Sequence, residues 1–120
     1  MITREFAEEF AKHWINAWNA HDLEQVLIHY AGDFEIETPM ALKLLPESTG
    51  ILKGKNNIRT YWKMGLEKHY DLAFKLLDVL IGVNSLAIYY HSNVTRKNTV
   101  EVLRFNEERK VYSAIVNYSE

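Results

Sequence analysis

The apolar positions repeat first with a helical period and later with a strand period. Phe6, Phe10, Trp14 and Trp18 recur every four residues with Ala7, Ala11 and Ala17 beside them, and Glu8, Glu9, Lys12, His13 and Asn16 oppose them. That is one unusually aromatic stripe on a helix, with Thr3 placed as its cap and Glu5 in its first turn. The helix should stop near Asn19-Ala20-His21. Asp22, with Gln25 three residues on, is the capping box of a second helix. Its buried face is Leu23, Val26, Leu27 and Tyr30, and Gly32-Asp33 breaks it. Phe34 to Thr38 alternates as a strand that Pro39 ends. Met40 to Gly50 reads as an irregular loop, and Gly50 to Gly54 leads into a third helix. Ile58, Tyr61, Trp62, Gly65 and Leu66 line the inner face of that helix, and Asn56 is a candidate cap.

From Leu72 onward the period is two. Leu72–Gly82, Leu86–Asn93, Thr99–Phe105 and Val111–Tyr118 read as strands, separated by turns at Asn84-Ser85, Thr95–Asn98 and Glu107–Lys110. Short turns between successive strands predict an antiparallel meander. Helices grouped ahead of a sheet predict an α+β domain with the helices covering one face.

Composition narrows the function classes. The chain has 120 residues, which suits one domain spanning residues 1–120, and it is 48% hydrophobic with a net charge of −2. Such a chain buries enough apolar surface to fold without staples. Having no cysteine, it excludes a disulfide scaffold, a thiolate nucleophile and any Cys-ligated zinc. The near-neutral charge offers no electrostatic footprint for nucleic acid. No apolar run is long enough for a membrane span, and the first residues lack a signal peptide's basic and apolar regions. A cytoplasmic location is therefore expected. Five histidines occur, at 13, 21, 29, 69 and 91, with no metal-ligand spacing, so no metal and no cofactor are expected.

Chemistry-bearing positions are few. By strand parity Glu101 shares a face with Leu103 and Phe105, while Val100, Val102 and Arg104 face the other way. A carboxylate on an apolar face is pushed toward neutrality, which suits a general acid or base. The competing reading pairs Glu101 with Arg104, Arg96 or a lysine at the sheet rim. Trp14, Trp18, Trp62, Tyr30 and Tyr118 are candidates to line a ligand cavity, against the alternative that they are plain core. Glu35 and Glu37 read as solvated edge charge, and Glu107–Lys110 as a charged turn.

The segment Trp14-Ile15-Asn16-Ala17-Trp18-Asn19-Ala20-His21-Asp22-Leu23-Glu24 resembles the helix 1–helix 2 junction of the nuclear transport factor 2-like superfamily. That group includes the SnoaL-like polyketide cyclases and the ketosteroid isomerases. Tyr30-Ala31-Gly32-Asp33-Phe34, the run from Gly50 to Trp62 and the hairpin Leu103 to Val111 resemble later parts of that pattern in order. The resemblance implies a cone, in which a strongly bent mixed or antiparallel sheet wraps over three helices with a pocket at the open end.

In the ketosteroid isomerases a helix 1 tyrosine and a late-strand acid hold the oxyanion, and an aspartate before a proline moves the proton. The corresponding residues here are Trp14, Glu101 and Thr38. An indole has no phenol proton and a threonine is no base, so steroid isomerisation is not expected. The SnoaL-like cyclases use a late-strand acid as proton carrier, which Glu101 matches.

The resulting expectation is an apolar small molecule bound by Trp14, Trp18, Tyr30, Thr38, Trp62, Tyr90, Leu103 and Tyr118, with proton transfer through Glu101. A homodimer through the outer sheet face is expected because Val100, Val102 and Ile115 point outward. The alternatives are a non-catalytic homodimeric binding module, or an accessory domain that binds a protein through the same face.

Overall fold

The computed structural model covers Met1–Glu120. It begins with α1 (Arg4–Asn19), where the Thr3 side chain accepts from the Phe6 N–H. His21, in the left-handed region at φ 58°, turns the chain into α2 (Leu23–Leu27), whose cap Asp22 accepts from the Gln25 N–H. Next come β1 (Tyr30–Glu37), α3 (Pro39–Leu44), a single 3-10 turn (Pro46–Ser48) and β2 (Ile51–Lys53). The chain ends with α4 (Lys55–Lys68), β3 (Phe74–Ile81), β4 (Ser85–Ser92), β5 (Asn98–Phe105) and β6 (Val111–Tyr118).

The fold is α+β, with a curled six-stranded sheet in the order β2-β1-β6-β5-β4-β3. All neighbours are antiparallel except β1 and β6, which run parallel. Inward and outward positions alternate cleanly along β4 and β5, burying Leu86, Ile88, Tyr90 and Ser92 on one strand and Thr99, Glu101, Leu103 and Phe105 on the other. The helices close this face. Trp14, of α1, is fully buried, as are Phe34 of β1 and Ile58 of α4.

Four local expectations need correction. Met40–Gly50 is not a structureless loop, because Thr38 caps α3 through a hydrogen bond from the Met40 N–H and Pro39 occupies the first turn. Ile51–Lys53 is a strand paired with Glu35–Glu37 rather than a lead-in to a helix. Asn56 does not cap α4; Gly54 does, at φ 91°, a backbone conformation that favours glycine. Tyr30 is not on the second helix but opens β1, and Gly32-Asp33 lies in a register shift of that strand rather than ending a helix.

Candidate functional site

Cross-strand registry assembles the centre of the inner sheet face. Glu101 is paired with Ile88 on β4 and Val116 on β6. One step toward the strand ends, Thr99 is paired with Tyr90 and with Tyr118. The Tyr90 ring slants toward Glu101, and its hydroxyl donates to Glu101 Oε2 at 2.5 Å. That length is typical of a charge-assisted O–H···O bond. Glu101 is 6% exposed and, with no cation beside it, burial pushes its carboxyl up to about 7 against the opposing pull of the Tyr90 hydrogen bond. A carboxyl that titrates near neutrality can both take and give a proton there. The rival pairing of Glu101 with Arg104, Arg96 or a rim lysine does not form, since Arg104 lies on the outer face.

Helix α1 supplies the opposite wall. The Trp14 indole donates to the Tyr30 hydroxyl at 2.9 Å, and its ring meets Tyr90 edge-on with centroids 5.5 Å apart. Trp18, one turn later, lies 6.1 Å from Trp14 and 5.0 Å from Trp62, both edge-on. Trp62 reaches Tyr30 at 5.4 Å. The three indoles therefore meet in one aromatic cluster. Phe34 and Phe74 complete it, Phe74 lying 4.4 Å from Tyr90. Neither phenylalanine stood out in the sequence, because a strand phenylalanine looks the same whether it fills a core or faces a ligand.

Of the remaining candidates, Leu103 is fully buried two residues beyond Glu101. Thr38 is buried and Tyr118 is half-buried, and burial raises the Tyr118 phenol, with the Thr38 side chain beside it pulling the other way. Tyr61 of α4, half-buried beside Tyr118, has its phenol pushed up to about 12 by burial. Two buried polar atoms have no hydrogen-bond partner, Trp18 Nε1 and Thr99 Oγ1. Thr99 was missed from sequence, although its parity with Glu101 puts it on the same face.

Surface depressions lie elsewhere. One of about 220 Å³ is lined by Phe6, Glu9, Phe10, His29 and Arg109, and another of about 690 Å³ lies between the α1–α2 junction and α4. In the first, half-buried His29 joins His13, with Nε2 and Nδ1 2.7 Å apart. Burial, with His13 and Lys110 nearby, lowers the His29 imidazole to about 4.

The SnoaL-like domain family matches residues 11–114, and the chain belongs to that family. A SnoaL-like protein of unknown function from Burkholderia thailandensis E264 is 39% identical over 99% of this chain and 98% of its own, with a TM-score of 0.95. At fold level the chain is similar to an NTF2-like protein from Cytophaga hutchinsonii (14% identity, 99% and 95% coverage, TM-score 0.71). It is also similar to a cystatin-like-fold protein from Methylobium petroleophilum PM1 (13% identity, 99% and 79% coverage, TM-score 0.77). No curated protein matches the chain in sequence. No helix is long and apolar enough to cross a membrane.

Proposed function

We propose that this protein is a cytoplasmic small-molecule protein that binds an apolar ring compound inside the aromatic cone and moves a proton on it through Glu101. The observation that carries this reading is the burial of Glu101 among aromatic and aliphatic side chains with Tyr90 as its hydrogen-bond partner. A buried charge is costly, and an aliphatic residue at position 101 would pack this face at lower cost. Retaining an ionisable group there fits a use in chemistry. Aromatic side chains fill the interior, so a ligand gains access by displacing the half-buried rim, of which Tyr61, Leu66, Leu72 and Tyr118 are part.

The chemistry follows from a carboxylate in an apolar site. Ionised Glu101 takes a proton from the carbon next to a ligand carbonyl; the C–H electrons pass to the carbonyl oxygen as an enolate. The carboxyl, once its proton has exchanged with solvent, returns a proton (a deuteron in D2O) to that or another carbon and is left ionised as before. In D2O, wild-type protein is expected to catalyse exchange of the α-protons of 1-indanone, followed by proton NMR, and Glu101→Gln to lower the rate by about 10²–10⁴-fold. Equal exchange by the two proteins would overturn the assignment of Glu101. Binding of 1-indanone without exchange would favour the non-catalytic module.

A homodimer through the outer sheet face is part of the same proposal. Leu80, Ala87, Val102 and Ile115 line up across four adjacent strands, and Tyr89 and Val100 form the next row. Leu80 is half exposed, and the row forms an apolar band of the kind that pairs with a second copy. Sedimentation at micromolar concentration is expected to give twice the 14.1 kDa chain mass, and Val102→Arg to give the monomer. A wild-type monomer would refute the dimer.

A further inference from the structure

The two unpartnered polar atoms inside the cone are the observation the proton-transfer reading leaves unused. Trp18 Nε1 and Thr99 Oγ1 are both buried, at 7% and 1% residue exposure, and neither has a protein hydrogen bond. Leaving a buried donor unmade costs roughly 1–3 kcal/mol, and either residue has a cheaper substitute. Phenylalanine would fill much of the apolar volume of Trp18, and valine is the isostere of Thr99 and a better strand former. The contrast with Trp14 is direct, because its indole N–H has a partner in Tyr30.

The two residues are linked through a short chain of aromatic contacts. Trp18 packs on Phe74 at 5.6 Å, Phe74 packs on Tyr90 at 4.4 Å, and Tyr90 is the registry partner of Thr99. One orphan thus sits on the helix wall and the other on the sheet wall, with Phe74 and Tyr90 between. Thr99 is two residues from Glu101 on the same inward face, so the sheet-wall orphan adjoins the carboxyl.

We propose that Trp18 Nε1 and Thr99 Oγ1 are specificity-determining groups that hydrogen-bond oxygen on an otherwise apolar ring ligand, an inference that rests on the ligand-cavity reading above. An indole N–H can only donate, so the ligand atom it meets is an acceptor such as a ketone, ether or phenol oxygen. An ammonium-bearing ligand would leave Trp18 unsatisfied.

The test compares 1-indanone with indane, which share a ring frame and differ in the oxygen. Titrations of wild-type protein, Trp18→Phe and Thr99→Val are followed by 1H–15N NMR, where three tryptophans give three indole N–H signals. Wild-type protein is expected to bind 1-indanone more tightly than indane, with the Trp18 indole proton moving downfield for the ketone alone. Thr99→Val is expected to weaken 1-indanone about tenfold, the size of one hydrogen bond, and to leave indane unchanged, while Trp18→Phe, which also removes ring area, is expected to weaken 1-indanone about tenfold more than it weakens indane. Equal affinity of wild-type protein for the two compounds, or ketone binding indifferent to both substitutions, would overturn the inference while leaving the cavity reading intact. Failure of both compounds to bind would remove the cavity reading itself. Thr99→Val is isosteric, so the comparison survives should Trp18→Phe fold poorly.

Discussion

Trp14→Ala is expected to lower stability by about 3–5 kcal/mol, the range for deleting a large buried aromatic. Trp14 has no exposed surface and packs against Trp18, Phe74 and Tyr90. Its removal also leaves the Tyr30 hydroxyl without its donor in a fully enclosed position. Domains of this kind hold together by about 5–15 kcal/mol, so the variant should lose a large share of that margin. Its melting temperature should fall by about 12–20 °C. The void left is lined mainly by aromatic rings, with the freed Tyr30 hydroxyl on its wall, and it suits a small aromatic molecule whose N–H replaces the lost indole donor. Added indole is therefore expected to raise the melting temperature of Trp14→Ala by more than that of the wild type. A loss below about 1 kcal/mol in urea denaturation would mean that Trp14 is not at the centre of the packing.

The elements that were legible in the sequence were those whose buried face repeats over several turns or pairs. The stripe from Phe6 to Trp18 uses many residues to state one orientation, so single exceptions do not blur it, whereas β4 was legible as a strand but not in its parity, because Leu86, Ile88 and Tyr90 on one face are opposed by Ala87 and Tyr89 on the other. Short elements had no such redundancy. Ile51–Lys53 becomes a strand only because Glu35–Glu37 offers a free edge to pair with, and nothing within those three residues carries that information. Tyr30 has the spacing of a helical position after Val26 and Leu27. Its placement at the start of β1 is set by pairing with Val111, more than eighty residues away.

The site divides in the same way. Glu101 could be placed on the inner face by parity alone, and its isolation from cations follows once Arg104 is seen to point outward. Its partner could not be found by that route, because Tyr90 and Glu101 are not registry neighbours. Their hydrogen bond is diagonal between adjacent strands, a contact within reach of a long aromatic side chain. The His13–His29 pair was likewise hidden, since it joins a helix to the loop that follows α2. The unpartnered Trp18 Nε1 and Thr99 Oγ1 are absences of contact, and those only appear once every neighbour has been positioned.

Glu101→Gln is expected to make the protein more stable at pH 8 than the wild type while removing its proton carrier. In the folded protein the carboxyl titrates at about 7, against an ordinary value of 4.5 that describes the unfolded chain. Below pH 4.5 both states carry the proton and the residue gives no slope. Between 4.5 and 7 the unfolded chain has lost its proton while the folded protein keeps it, so stability falls as pH rises. Above 7 both are ionised and the loss is complete. The shift corresponds to roughly 3 kcal/mol, an order-of-magnitude figure for a fully enclosed group. Glutamine has no proton to lose, and its carbonyl oxygen can still accept from the Tyr90 hydroxyl. His29 works in the opposite sense: its folded value of about 4 lies below the ordinary 6.5, so it withdraws stability as pH falls through that window. Both proteins share His29, and its effect cancels when the two stability profiles are subtracted. Urea denaturation at intervals from pH 4.5 to pH 8 should therefore give a difference that grows steadily in favour of glutamine and levels off above neutrality. A flat difference would mean that Glu101 is ionised throughout and is held in the fold as a charge, which would end its role as a proton carrier near neutral pH.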